Sequence, residues 1–226
     1  MAANMHPVVI PEALEAIGIH IPYQVVYAWI AMAVLFFAAW MATRKLSLVP
    51  TGVQNFFEVL VGGLEDFVVQ NMGEDGRKVF PMLGTLFIFI LIMNLMGLVP
   101  GVDAATANIN TNAAMALFVF FYYNYWGIRL HGAGYIKHFL GPSAVLAPLM
   151  FIIEVISHLS RPLSLTLRLF GNIRGEEIVI MLLFFLAPIF STLPIFFLFL
   201  LMKSMQAFIF FMLSMMYLKG AFEEAH

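Results

Sequence analysis

From residue 143 to residue 218 the chain is almost continuously apolar, and charge interrupts it mainly at SLTLRLFGNIRGEE, residues 164–177, and at Lys203. No water-soluble core accommodates an apolar run of that length, so the run places the chain in a membrane. At 1.5 Å per residue, residues 143–186 as a single helix would extend roughly 65 Å, about twice the thickness of bilayer hydrocarbon. The segment is therefore either strongly tilted or broken near Pro162. The two prolines of APIFSTLP, residues 187–194, mark a helix-to-helix turn.

Composition agrees. Of 226 residues, 62% are hydrophobic and 11% charged, against roughly 45–50% and 25% in soluble domains. The net charge of −2 offers nothing to a nucleic acid, and the absence of cysteine excludes disulfides, thiolate metal sites and a cysteine nucleophile. The first twenty-odd residues carry neither a basic segment nor a small-residue cleavage site, so no removable signal peptide is expected. No internal repeat is evident, and residues 1–226 read as a single integral membrane domain.

Three further spans stand out: VVYAWIAMAVLFFAAWMA at 25–42, VFPMLGTLFIFILIMNLMGLV at 79–99 and the shorter, aromatic AAMALFVFFYYNYWGI at 113–128. Between the first two, residues 53–72 repeat apolar side chains at i, i+3, i+4 and i+7: Val53, Phe56, Phe57, Leu60, Leu64, Phe67 and Val68. Gln54, Asn55, Glu58, Glu65 and Asp66 fall opposite, which predicts an amphipathic surface helix. Its acidic face suits a protein partner better than anionic lipid. Arg44, Lys45, Arg77, Lys78, Arg129, Lys137 and Lys219 flank the spans on one side. Residues 1–24, the loop at 101–112 and the turn at 187–194 have no Lys or Arg. With five spans, the N-terminus is expected outside and the C-terminus in the cytoplasm.

At 3.6 residues per turn, Glu154, His158, Arg161, Arg168, Asn172 and Glu176 fall within about 80° of one another on a helix. Ser164 lies beside them, while Arg174 and Glu177 point elsewhere. Lys203 and Gln206 share a face of the following helix. Charge buried in a bilayer is costly, so such groups face a cavity, a partner or an ion path. One Arg–Glu pair would serve helix register, but a stripe of six polar groups is what a proton relay needs. A guanidinium stays protonated even when poorly solvated, so an arginine there attracts a carboxylate and repels a proton without relaying one.

Other candidates carry less. His131 and His138 read as loop histidines rather than a metal pair, and no metal site is expected. Asn94 and Asn124 read as helix-packing contacts. No glycine-rich phosphate loop is present, so the chain itself should bind no ATP and no cofactor.

SRPLSLTLRLFGN at 160–172 resembles the signature of subunit a of F-type ATP synthases, a long and specific motif. QAFIFFMLSMMYL at 206–218 resembles that family's last helix, and MNLMGLVPG at 93–101 the end of an earlier span. The likeness covers nearly the whole chain, in order, and has a bacterial character. It implies an all-α polytopic protein of the bacterial inner membrane: about five transmembrane helices, an amphipathic surface helix, and a long, strongly tilted pair at 143–218 that carries the ion path.

The resemblance also implies a mechanism. Two offset half-channels lead protons to carboxylates on a rotor ring of small c-type subunits, and Arg168 matches the essential arginine between them. Asn172, Glu177 and Gln206 match positions near that arginine and the outer half-channel; Glu154 matches a carboxylate of the cytoplasmic side. The implied partners are the ring, peripheral-stalk b-type subunits, the ATPase head through the complex, and the lipid bilayer. The chain is then no enzyme by itself. Departures from the pattern are informative. Glu176 stands where relatives often have glycine or histidine, Phe199 where many have histidine or an acid, and Gly97 where some have aspartate. Glu176 is expected to supply the titratable group that Phe199 lacks, with Lys203 paired to Glu176 or Glu177. Lys203 and Arg174 are unusual for the family. Two other readings compete: a self-contained ion transporter, which would conduct alone, and a non-conducting anchor, which would tolerate loss of Arg168.

Overall fold

A computed structural model describes residues 20–44, 47, 50, 52–99, 102–135, 147–186 and 192–222. The expected Lys45, Lys137 and His138, residues 1–19 and the centre of the 187–194 turn lie outside the described residues. Among the described residues six α-helices follow one another: α1 (Tyr23–Thr43), α2 (Val53–Met72), α3 (Gly76–Met96), α4 (Ile109–His131), α5 (Ala147–Leu186) and α6 (Thr192–Phe222). Among the described residues there is no strand. The chain is an all-α polytopic membrane protein.

Among the described residues, four stretches suffice by length and composition to cross a membrane: Tyr23–Thr43, Val53–Met96, Leu149–Leu183 and Pro194–Phe222. Expected as a span in its own right, α4 is 23 residues long. It is less apolar than these four because Asn110, Asn112, Asn124 and Arg129 punctuate it.

Helix boundaries follow local chemistry. The Asn108 side chain accepts a hydrogen bond from Asn110 N at 2.9 Å and caps α4. Gly73 ends α2 at φ 71°, a left-handed conformation that glycine adopts without steric cost, and so turns the chain back into α3. Pro162 does not break α5, which runs unbroken through it for 40 residues. Membrane helices tolerate such a proline because nearby hydroxyls and neighbouring helices re-satisfy freed backbone groups. Here the carbonyl that loses its N–H partner is that of His158, while the nearby hydroxyls bond other carbonyls: Thr166 Oγ1 donates to Pro162 O at 2.7 Å, and Ser160 Oγ to Ser157 O at 2.7 Å. Forty residues make a helix about 60 Å long, so α5 fits within hydrocarbon about 30 Å thick only at a steep tilt.

The core lies where α6 meets α3, α4 and α5. Leu83, Ile90 and Met93 of α3, Val119 and Tyr123 of α4, Leu165, Leu169 and Ile173 of α5, and Phe210, Phe211, Met215 and Leu218 of α6 are buried there. Phe67 of α2 and Phe87 of α3 both pack on Phe208 and Phe211. On α2, Leu64 and Val68 face inward, whereas Val53, Phe56 and Val59 are exposed; its apolar face is only partly covered. Gln54, expected on the polar face, is buried because its amide binds the Ser47 backbone and Glu58 Oε1.

Candidate functional site

The predicted polar stripe is real on α5, but it does not form one continuous hydrogen-bonded chain. It straddles the line between the buried and exposed faces of the helix and divides into three parts.

The first part surrounds His158, which is buried. Its Nε2 lies 3.4 Å from Glu154 Oε1 and its Nδ1 2.9 Å from the Tyr123 hydroxyl of α4. The Arg161 guanidinium is 4.0 Å from Glu154 Oε1 and sits over the rings of Tyr123, 5.6 Å from its centroid, and Tyr217, 5.3 Å. Two aromatic faces thus carry part of that charge.

The second part is the middle of α5. Ser164, Arg168, Gly171, Asn172 and Gly175 are exposed, on a face otherwise made of Leu163, Leu167, Leu182 and Phe185. Among the described residues, no hydrogen bond or ion pair engages Arg168. Its neighbour one turn on, Asn172, donates Nδ2 to Oε1 of Gln206, which is buried on α6. The Gln206 Nε2 has no partner.

The third part lies beyond. Glu176 is buried, with Lys203 Nζ 3.3 Å from its Oε2; both side chains are 3% exposed. A buried pair of this kind is kept because each charge alone would cost more. Arg174 and Glu177 turn to another side of α5, as their angular positions predict, and meet each other: Arg174 Nη1 is 2.6 Å from Glu177 Oε2. Arg174 also donates to Ala107 O at 2.9 Å and to the Tyr23 hydroxyl at 3.4 Å.

Asn94 makes the packing contact expected of it. Its Nδ2 donates to Lys203 O at 3.1 Å, while its Oδ1 accepts from Thr106 Oγ1 at 2.8 Å. Asn112 Nδ2 donates to Thr106 O at 2.8 Å. A buried polar seam therefore runs from the 105–107 turn to the backbone beside the Glu176–Lys203 pair. Asn124 serves a different contact: its Oδ1 accepts from Tyr135 at 3.2 Å.

Residues 25–219 match the ATP synthase A chain family. The chain is 61% identical to ATP synthase subunit a of Solidesulfovibrio magneticus over 98% of both chains. It is 67% identical to that of Nitratidesulfovibrio vulgaris over 90% of this chain and 87% of the relative, and 58% identical to that of Oleidesulfovibrio alaskensis over the full length of both. The chain belongs to the ATP synthase A chain family. It is a subunit a of the bacterial F-type ATP synthase, and a multi-pass protein of the inner membrane.

For a subunit a, several groups in these clusters escape sequence reasoning. Tyr123 and Tyr217 read as aromatic filling of apolar helices, and only the fold brings them to His158 and Arg161. Asp103 is buried and adds its charge near the Arg174–Glu177 pair. An acid in a loop without Lys or Arg was the available signal. Gly97 packs so tightly that a Cβ there would sit 2.7 Å from the Ala104 Cβ. An aspartate, expected there from the resemblance, would not fit unless the Ala104 backbone moved.

Proposed function

We propose that the chain is the proton-conducting stator subunit of the rotary complex, with Arg168 separating two offset half-channels. The observation that carries this reading is a guanidinium with no hydrogen-bond or ion-pair partner among the described residues, on an exposed and mostly apolar helix face. A charge there is costly in a bilayer unless a counter-charge meets it. A carboxylate on the rotor ring supplies that counter-charge, and small residues at Ser164, Gly171 and Gly175 let a ring helix approach closely.

Glu154, with His158, then serves the cytoplasmic half-channel. Glu176, Lys203 and Glu177 serve the outer one, while Asn172, Gln206 and Ser164 line the approach to Arg168. At 1.5 Å per residue, Glu154 lies about 21 Å and Glu176 about 12 Å from Arg168 along the axis, on opposite sides. A proton entering from outside neutralises a ring carboxylate, which can then face lipid. Arg168 keeps the next carboxylate ionised and bars direct passage. The driving force is roughly 2.3 kcal/mol per charge per 100 mV, passed on as rotation to the ATPase head. The N-terminus is assigned outside and the C-terminus to the cytoplasm. The groove between α1, α2 and α3, about 590 Å³ and lined in part by Ala38, Ala39, Ala42, Gly62 and Gly84, suits a b-type stalk helix.

Cysteine crosslinking tests the ring face, since the chain has no native cysteine. Gly171→Cys and Gly175→Cys should form disulfides with cysteines placed beside the ring carboxylate. Ile173→Cys, on the buried face, should not. Crosslinks from Ile173 alone would place the ring elsewhere.

A further inference from the structure

We propose that Tyr123 is a positioning residue that aims His158 Nε2 at Glu154, making these two a couple that stores one proton between them for Glu154 to take up and give back. The inference rests on the reading of Glu154 as part of a proton route and adds two side chains to it.

His158 is 6% exposed and Tyr123 is 1% exposed, so neither exchanges protons freely with water. Glu154 is more open, with 31% of its side chain accessible. The imidazole bridges them: Nδ1 is 2.9 Å from the phenol and Nε2 3.4 Å from the carboxylate. A hydroxyl both donates and accepts. It can therefore accept from Nδ1–H whether the ring is neutral or cationic, which leaves Nε2 as the site of exchange. When Glu154 is protonated, its O–H donates to Nε2. Transfer breaks that O–H bond and forms Nε2–H, giving a carboxylate beside an imidazolium with the Nδ1–H bond to Tyr123 intact. Reversal returns the proton to Glu154.

Among the described residues, the charged and titratable groups around His158 and Glu154 fit this exchange: Glu154 and Arg161 from α5, Tyr123 from α4, Tyr217 from α6 beneath Arg161 and, beyond α4, Tyr135, which lies near Glu154 and Arg161. Arg161 is held over the two tyrosine rings, 4.0 Å from Glu154, so its charge stays beside the carboxylate through the transfer. Imidazole is the side chain whose ordinary titration falls nearest neutral pH.

The test is ATP-driven pumping by the whole complex in inverted vesicles, followed across roughly pH 5.5–8.5, the range of imidazole titration. Tyr123→Phe keeps the ring and the Arg161 contact but removes the acceptor for Nδ1–H. The bond to the cationic ring is the stronger of the two, so loss of the acceptor costs the imidazolium more than the neutral ring, and the acidic limb of the profile should move down by about half to one pH unit, the equivalent of that difference. His158→Gln should abolish that limb, and Tyr125→Phe, an exposed tyrosine two residues away, should leave it in place. Superimposed profiles for Tyr123→Phe and the unaltered complex would overturn the proposal. Loss of the ring from the purified Tyr123→Phe complex would also overturn it, by showing that the hydroxyl only holds the bundle together. Arg168→Ala run in parallel keeps the two readings separate. If it still pumps, the half-channel reading fails; if it is dead while Tyr123→Phe is unchanged, only the couple fails.

Discussion

A permanent charge earns its place on an apolar surface only where something meets it, and the residues of α5 sort themselves by that rule. Arg161 and Arg174 are met within the chain, by tyrosine rings and Glu154 in one case and by Glu177, Tyr23 and a backbone carbonyl in the other. Lys203 is met by Glu176. Arg168 is the arginine of α5 whose counter-charge is assigned to another subunit. The buried pair yields a prediction at the same scale. Glu176→Gln and Lys203→Met each strand one charge or polar group in the interior, at a cost of about 3–5 kcal/mol, and should lower the amount of assembled complex recovered from membranes. The double substitution removes both charges, so it should restore assembly while pumping stays impaired. Normal pumping by Glu176→Gln alone would remove that carboxylate from the proton path.

At the scale of elements, long apolar runs made the helices readable from the sequence, because a bilayer leaves the backbone few ways to bond itself. The course of α5 through Pro162 was not readable. A proline breaks or merely interrupts a helix according to what surrounds it, here the helices α4 and α6 packed along α5. Angular positions put Glu154, His158 and Arg161 together correctly and turned Arg174 and Glu177 away. They could not say that Arg174 reaches Ala107 and Tyr23, contacts that depend on how a distant loop and α1 fold back. Nor could they find Tyr123, whose role comes from α4 packing on α5. The join of α3 to the 105–107 turn gives its own test. Gly97→Ala forces a methyl against Ala104 and should destabilise by about 1–3 kcal/mol. The readout is a lower temperature at which the detergent-solubilised complex loses this subunit; an unchanged temperature would mean the turn yields freely.

Across the whole molecule, the polar groups gather in two places separated by the stretch that carries Arg168. One holds Glu154, His158, Arg161, Tyr123 and Tyr217. The other holds Glu176, Lys203, Arg174, Glu177, Asp103 and Tyr23, and is joined to the Asn94–Thr106–Asn112 seam. Two offset half-channels require that separation, and a single continuous relay would not produce it. A self-contained transporter would need the two clusters to connect within one chain, and a mere anchor would not need an Arg168 that finds no partner among the described residues. The decisive measurement is ATP-driven proton pumping in inverted vesicles by a complex carrying Arg168→Ala, with the ring shown to co-purify. The account predicts loss of pumping with the assembly intact. Pumping at the level of the unaltered complex would contradict it.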